Sequence, residues 1–248
     1  MSRNRAVKAK NRMPTKHQEN TINFHNVVAP TLPRVPNLVP RSRNQESLVL
    51  ALLDHSSHIV VTVGPAGTGK TYLAMQAAVR ALRTGACERI VLTRPAVGVE
   101  DERHGFLPGD LTAKMEPWTR PLFDVLREYY RAQDLIKMLH DQVIEIAPLA
   151  FMRGRTFKNS WVIADEMQNA TPAQVKMLMT RIGQHSRIVV TGDVEQADQQ
   201  SRHNGLKDLV SRLNQQPIPG IALCELQQKD VQRHQLIGAI LDLYQRER

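Results

Sequence analysis

Short apolar runs alternate along this chain with stretches in which apolar residues recur at helical spacing. The runs are rich in Val and Ile and apolar at almost every position, which is typical of strands buried on both faces of a sheet. Five strands are predicted, at His58–Val63, Arg89–Thr93, Val143–Ile146, Trp161–Ala164 and Arg187–Thr191. Helical spacing predicts helices over residues 70–83, 119–140, 172–183, 203–214 and 230–247. This alternation predicts an α/β fold with a parallel sheet covered by helices on both faces.

Two stretches depart from the alternation. Residues 1–40 are highly charged, contain recurring prolines and hold no helical or strand period, so we expect a flexible arm followed by one domain over residues 41–248. Residues 95–121 are rich in Pro and Gly and predict a long irregular insertion, which in a compact domain is more often functional than idle.

The net charge of the chain is concentrated in the arm. The 248 residues carry a formal charge of +9, yet residues 1–43 contain nine Lys and Arg against the single acid Glu19, so the remainder is nearly neutral. The basic character alone therefore does not make the domain a nucleic-acid binder. The arm is interpreted either as an electrostatic contact with a polyanion or as a solvated leader, with equal weight.

Composition excludes several classes of protein. Two cysteines, Cys87 and Cys224, are too few for a disulfide scaffold or a Cys-rich zinc site. No apolar run approaches the ~20 residues that span a bilayer, and no apolar segment follows the basic N-terminus as in a secretory signal. We therefore expect a cytoplasmic protein without membrane contact.

A phosphate-binding loop follows the first predicted strand. The sequence GPAGTGKT matches G-x-x-x-x-G-K-[ST], with a strand before it and a helix after it. Glycines allow backbone N–H groups to turn toward phosphate, and the helix N-terminus attracts anions. The predicted nucleotide-binding residues are Gly64, Pro65, Ala66, Gly67, Thr68, Gly69, Lys70 and Thr71. Lys70 is expected to reach the β- and γ-phosphates, and the Thr71 hydroxyl to bind Mg²⁺.

Acidic and amide residues follow two later strands. Asp165 is expected to hold the Mg²⁺ shell and Glu166 to polarise a water molecule aimed at the γ-phosphate. The second acid favours hydrolysis over a small-molecule kinase, whose substrate supplies its own hydroxyl. An ordinary acidic pair at a helix N-terminus is the alternative. After the fifth strand, Gln196 is a candidate sensor of the γ-phosphate.

Two further residues are candidates at the ends of the domain. The Gln45 amide has the donor and acceptor needed to read adenine, although on its own it is more typical of a surface residue. Arg233 offers a permanently charged, planar group to the γ-phosphate, as arginine fingers do, or else forms a structural salt bridge.

The order of these motifs resembles the PhoH-like ATPases. The resemblance extends over about residues 40–247 and includes GPAGTGKT, TRP, GFLPGD, RPLFDVL, FMRGRTF, DEMQNATPAQ, TGDVEQ and RH. It implies a RecA-like P-loop NTPase fold, similar to the first domain of superfamily-one helicases without the second. It also implies ATP and Mg²⁺ as cofactors, a connection with nucleic acid, RNA above all, and ring-shaped hexamers. On this resemblance, Lys70, Glu166, Gln196 and Arg233 act in catalysis, Gln45 binds adenine, and Thr71 and Asp165 serve the metal.

Basic residues are expected beside the nucleotide, at the carboxyl ends of the strands. The candidates for backbone phosphates are Arg94, Arg153, Arg155 and Lys158. Phe106, Trp118 and Phe157 could stack on bases, although core packing is the better expectation for aromatic residues.

The leading hypothesis is an Mg²⁺-dependent, oligomeric ATPase that couples hydrolysis to single-stranded RNA or DNA. The alternative is a nucleotide-gated assembly or binding module with negligible turnover.

Overall fold

A six-stranded sheet, parallel throughout, forms the centre of the computed structural model, which describes residues 35–95, 120–196 and 204–232. These residues belong to one compact unit, Leu32–Arg248. The strands are β1 (Ile59–Val63), β2 (Arg89–Thr93), β3 (Ile144–Ile146), β4 (Ser160–Ala164), β5 (Arg187–Gly192) and β6 (Ile221–Glu225). Their order is β3-β2-β4-β5-β1-β6. The predicted α/β fold with a parallel sheet is confirmed.

Helices connect the strands in the described part of the chain. They are α1 (Arg43–Leu53), α2 (Lys70–Arg83), α3 (120–127), α4 (Ala132–His140), α5 (Pro172–Met179) and α6 (Gly205–Gln215). Side-chain caps explain several of their starts: the Ser42 hydroxyl accepts from the Gln45 backbone N–H at 3.2 Å, and Thr171 with Gln174 forms a capping box that opens α5. No helix among these residues is long and apolar enough to cross a membrane.

The two faces of the sheet pack into separate cores because successive side chains of a strand point to opposite faces. On one face, Val60, Ile90 and Ile163 pack against α1 to α4. On the other, Val61, Val91 and related side chains pack against α5 and α6. The central strands are therefore apolar at nearly every position, because both of their faces are covered. This agrees with the sequence-based prediction of a sheet covered on both sides.

Several element predictions differ from the structure. Helix α1 and strand β6 were not predicted, and the single helix expected over 119–140 is two helices separated by a turn at residues 128–131. Strand β6 lies at the sheet edge and is only half-buried over most of its length; its apolar run, Ile221–Cys224, contains one β-branched residue and so carries a weaker strand signal than the Val- and Ile-rich central strands. Some predictions lie outside the described residues. They concern the arm up to residue 34, the side chains of Phe106, Trp118 and Arg233, and the part of the helix over 230–247 that follows residue 232.

The sheet order brings three strand ends together. Strands β4, β5 and β1 are neighbours, and all three run in the same direction. Their carboxyl ends therefore place the loop after Val63, the acids after Ala164 and the turn after Gly192 at one point on the sheet edge. Ligands of open α/β sheets bind at this edge.

Candidate nucleotide site

The loop between β1 and α2 has the backbone conformation of a phosphate cradle. Gly64 has φ +146° and Gly69, immediately before α2, has φ +82°, in the region that side chains disfavour. A Cβ atom added at Gly64 would lie 2.3 Å from the carbonyl oxygen of Leu226, which follows β6. Glycine is therefore required at Gly64 by close backbone packing as well as by conformation.

Lys70 extends into this loop at the start of α2. Its buried Nζ donates to the carbonyl oxygen of Gly64 at 2.6 Å and to that of Pro65 at 2.8 Å. The Thr68 hydroxyl also donates to Pro65, at 2.8 Å. The loop thus encloses a positive charge beside a helix N-terminus, an arrangement that favours phosphate anions.

Asp165 gathers four hydrogen-bond donors at the end of β4. Its Oδ1 accepts from the Thr71 hydroxyl at 2.7 Å and from the Thr191 hydroxyl, and its Oδ2 accepts from Nε of Arg94 at 3.0 Å and from the same guanidinium's Nη2. The Asp165 side chain is 3% exposed. The two predicted metal-site residues, Thr71 and Asp165, are therefore in direct contact. Thr191 was missed, because a threonine inside an apolar strand gives no separate signal.

Glu166 adopts a strained conformation at the mouth of the site. Its φ of +56° is left-handed, and its side chain is exposed. Its Oε2 accepts from Nε2 of Gln168 at 2.6 Å, while Oε1 of Gln168 accepts from the Asp193 backbone N–H at 3.1 Å. Gln168 was missed by the sequence analysis, which treated this stretch only as part of a family motif.

These groups line one cavity of about 250 Å³. Its lining residues are Ala66, Gly67, Gly69, Lys70, Thr71, Tyr72, Asp165, Glu166, Gly192, Asp193 and Gln196. The predicted residues Lys70, Glu166 and Gln196 are thus brought together. Burial and a hydrogen bond to Glu128 raise the pKa of Tyr72 to about 12, so its phenol stays neutral.

The oxygen donors of this cavity suit magnesium. Mg²⁺ takes one or two protein oxygens and completes its shell with water and substrate phosphates. Thr71 and Asp165 supply a hydroxyl and a carboxylate of this kind. In the described ranges no group of three or more His, Cys, Asp or Glu side chains could hold a metal by itself.

Gln45 lies beneath the phosphate loop and is only 3% exposed, so the expectation of a surface residue is wrong. Its Nε2 donates to the Thr68 carbonyl at 2.9 Å, and its Oε1 accepts from the Arg41 backbone N–H at 2.8 Å. The amide therefore braces the loop with both of its ends. Adenine reading by Gln45 stays a prediction.

The segment after β6 supports the loop from the other side. The Gln232 backbone N–H donates to the Gly67 carbonyl at 2.9 Å, and the buried Asp230 accepts from Asn44 Nδ2 at 2.7 Å. These contacts have no signal in the sequence, because they join residues far apart in the chain. Arg233, which follows, lies outside the described residues.

The residues predicted to contact nucleic acid fall into different environments. Arg94 is held by Asp165, and the two guanidinium nitrogens of Arg155 engage Glu145, one of them at 2.8 Å. Arg153 is exposed at the end of a 3₁₀ turn (Leu149–Met152) that contacts Arg94 beyond β2. Phe151, in the same turn, is 56% exposed and was missed.

Two other members of this motif do not fit the predicted surface. Phe157 is 3% exposed and packs in the core, so it offers no face to a base, as the core-packing alternative had it. Lys158 precedes β4 by two residues, and its neighbour Asn159 hydrogen-bonds residues that precede β2 and β5. Lys158 therefore lies at the amino edge of the sheet, and the prediction that it lines the carboxyl edge is wrong.

The fold and the site together define a P-loop NTPase of RecA-like type. The first strand of a parallel sheet leads into a G-x-x-x-x-G-K-T loop, and Asp165 follows a nearby strand of the same sheet. The comparison with known families agrees with this class. The family model described as "PhoH-like protein" matches residues 37–245, and the chain belongs to this family.

Relatives of this chain come from several bacteria. The chain is 45% identical over 203 residues to the PhoH-like protein of Synechocystis sp., covering 82% of this chain and 60% of the relative. It is 47% identical over 191 residues to the PhoH-like protein of Bacillus subtilis, covering 76% and 59%. Protein PhoH of Escherichia coli is 39% identical over 183 residues, covering 73% and 51%. The chain therefore spans between half and three fifths of the length of these relatives.

Solved structures with a similar arrangement include two ATPase or helicase cores. The Sulfolobus solfataricus SWI2/SNF2 ATPase core in complex with dsDNA has a TM-score of 0.40 at 16% identity, covering 63% of this chain and 32% of that one. The Pyrococcus furiosus Hef helicase domain has a TM-score of 0.44 at 13% identity, covering 79% and 39%.

Proposed function

We propose that this protein is an Mg²⁺-dependent ATPase that couples hydrolysis of ATP to a single-stranded nucleic acid, RNA in the first place. The observation that carries the proposal is the convergence of Lys70, Thr71, Asp165, Glu166 and Gln196 on one cavity. A cation, an oxygen pair suited to magnesium, an exposed carboxylate and an amide are the groups that phosphoryl transfer to water requires.

Each group has a role that its position supports. Lys70 would neutralise the β- and γ-phosphates, and the Thr71 hydroxyl with Asp165 would hold Mg²⁺, which stabilises the charge that develops on the phosphates. Glu166 is exposed and close to Asp165, so it can accept a proton from a water molecule beside the γ-phosphate. Gln196 lines the same cavity and would contact the γ-phosphate. Two further roles rest on the family resemblance alone: Gln45 would favour adenine, and Arg233 would complete the charge neutralisation.

Contact with a polymer is supported by the carboxyl edge of the sheet. Phe151 and Arg153 are both exposed in the turn after β3, and an aromatic face beside a guanidinium is suited to a base and its phosphate. Arg94 and Arg155 remain weaker candidates, because each is paired with a carboxylate. The basic arm over residues 1–40 would add electrostatic affinity without sequence preference.

The family resemblance supports the finer parts of the proposal. It favours a homo-oligomer, in particular a ring of six subunits, acting in the cytoplasm. Mass measured by light scattering, with and without Mg²⁺ and ATP, tests this: a monomer under all conditions would contradict the ring.

Phosphate release by the purified chain tests the central activity. We expect turnover that requires Mg²⁺, increases with single-stranded RNA or DNA, and is lost in Lys70→Ala although the variant still folds. Turnover in Lys70→Ala equal to that of the wild type would refute the assignment of the site.

A nucleotide-gated binding module is the second candidate. It is favoured by the contacts of Arg94 with Asp165 and of Gln168 with Glu166, which occupy both acids with groups of the chain itself. A module of this kind would bind ATP and change its assembly state without measurable phosphate release.

A further inference from the structure

We propose that Gln168 is a positioning residue that makes the orientation of the Glu166 carboxylate depend on the turn after β5. This inference rests on the proposed function, since it concerns the group assigned to activate water. Gln168 lies in the 3₁₀ turn Met167–Asn169 that follows the two acids, and its side chain is 3% exposed. Its amide joins groups at the ends of two neighbouring strands.

The chemistry of the contacts requires an amide. Nε2 of Gln168 donates to Glu166 at 2.6 Å, and Oε1 accepts from the Asp193 backbone N–H at 3.1 Å. A glutamate could accept from Asp193 but could not donate to Glu166, and an apolar side chain could do neither. Glutamine is thus the residue of this length that satisfies both neighbours at once.

Close packing keeps the Gln168 amide in this position. A Cβ atom added at Gly192 would lie 2.6 Å from Oε1 of Gln168 and 2.5 Å from Cδ2 of Leu206. The last residue of β5 therefore has to be glycine for the amide to reach Asp193. Because the space beside Gly192 admits no larger side chain, the packing of the fold itself holds the Gln168 amide in place.

In the part of the chain that the structure describes, the hydrogen bond from Gln168 is the contact that holds the Glu166 carboxylate. The side chain is exposed, and its backbone is left-handed at φ +56°. The bond from Gln168 fixes Oε2 and leaves Oε1 for another partner. In the proposed reaction, that partner is the attacking water.

The other end of the bridge belongs to the turn that carries the proposed γ-phosphate sensor. The Gln196 backbone N–H donates to the Asp193 carbonyl at 3.2 Å, and the Glu195 N–H donates to Oδ1 of Asp193 at 3.1 Å. Because these bonds tie residues 193–196 together, a displacement of Gln196 by phosphate is transmitted through Asp193 and Gln168. The bridge thereby connects phosphate contact with the orientation of the base.

The test is a double-mutant cycle on the full chain. Gln168→Met keeps the length of the side chain and removes both hydrogen bonds. We expect its kcat to fall by about 30-fold, since a misplacement of about 1 Å at a reacting group can cost about 100-fold. The dissociation constant for a fluorescent ATP analogue should change by less than about twofold, because Gln168 does not line the cavity.

The decisive comparison uses Glu166→Gln as the background. If Gln168 acts through Glu166, Gln168→Met should change the residual single-turnover rate by less than about threefold there. A loss of about 30-fold in both backgrounds would show a general structural effect and overturn the proposal. An unchanged kcat in Gln168→Met alone would overturn it as well.

Two further variants keep the result interpretable. Gln168→Glu is isosteric, but it loses the donor and places a second negative charge beside the Glu166 carboxylate, so its kcat should fall at least as far as in Gln168→Met. Wild-type kcat in a folded Gln168→Glu would refute the proposal. Gln174→Met is the matched control. Oε1 of Gln174 accepts from the Thr171 backbone N–H over a distance of 2.9 Å, and this contact lies away from the cavity. The variant should therefore retain wild-type kcat. Absence of turnover in the wild type would refute the proposed function and this inference together, whereas wild-type turnover with unaffected Gln168 variants would refute only the latter.

Discussion

Replacing Arg94 with alanine removes the cation that neutralises a buried carboxylate. Asp165 is 2% exposed, and its Oδ2 accepts from Arg94 alone among the described residues, through Nε at 3.0 Å and Nη2. Oδ1 keeps the hydroxyls of Thr71 and Thr191 in the variant. In the variant, Oδ1 of Asp165 therefore keeps its hydrogen bonds, whereas Oδ2 loses the donor that Arg94 supplied.

The size of the effect follows from this geometry. Removing one partner of a buried ion pair costs about 3–5 kcal/mol. The Arg94 side chain is 19% exposed, so water can partly replace it, and we expect the free energy of unfolding to fall by about 3 kcal/mol at the lower limit of that range. For a chain of this size, that corresponds to a melting temperature lower by about 6–12 °C.

Urea unfolding of Arg94→Ala without nucleotide or Mg²⁺ measures this change. Arg212→Ala is the control, because Arg212 pairs with Asp208 at 2.8 Å on the exposed surface of α6, where solvent screens such a pair and its loss changes stability little. Mg²⁺ with ATP should stabilise Arg94→Ala more than it stabilises the wild type, since the cation would take over the neutralisation of Asp165. An Arg94→Ala variant as stable as Arg212→Ala would refute the role of Arg94 in holding Asp165.

Three further perturbations follow from other parts of the structure. Phe151→Ala should weaken the binding of single-stranded oligonucleotides by about tenfold, and Arg153→Ala should reduce the salt dependence of the affinity by about one phosphate contact. Ile136→Ala, an exposed control on α4, should change neither quantity. Equal affinities for all three variants would contradict the proposal that Phe151 and Arg153 contact the polymer. Burial raises the pKa of both Cys87 and Cys224 to about 11, so a thiol reagent at pH 8 should react about 100-fold more slowly with the native than with the unfolded protein, and rapid native labelling would show that these thiols are accessible. Gly64→Ala should lower the free energy of unfolding by more than about 2 kcal/mol because its Cβ meets Leu226, against about 1 kcal/mol for Gly85→Ala, where the added Cβ meets nothing; equal losses would contradict the contact.

The central strands and the phosphate loop could be predicted because their signals are local. A strand buried on both faces is apolar at every position, and a loop that wraps phosphate requires glycines at fixed spacing, as at Gly64 and Gly69. Strand β6 was missed because its short apolar run, Ile221–Cys224, has one β-branched residue and lacks the Val and Ile enrichment of the central strands. The interruption between α3 and α4 was missed because apolar spacing continues through the turn.

The roles of individual side chains were predicted less well where they depend on distant contacts. Arg94 follows β2 and Asp165 follows β4, so their pairing arises from the neighbouring positions of these strands in the sheet. Gln45 and Gln232 brace the phosphate loop from opposite ends of the chain. The bridge formed by Gln168 likewise depends on the glycine at the end of β5. None of these contacts has a signature in the spacing of residues along the sequence.

The most direct test of the central claim compares the wild type with Glu166→Gln in two assays, ATP binding and phosphate release. If Glu166 activates water beside a bound nucleotide, the variant should bind Mg²⁺ and ATP within about twofold of the wild type while kcat falls by about 100-fold or more. Equal rates of phosphate release in the two proteins would contradict the account, and so would a wild type that binds ATP and never releases phosphate.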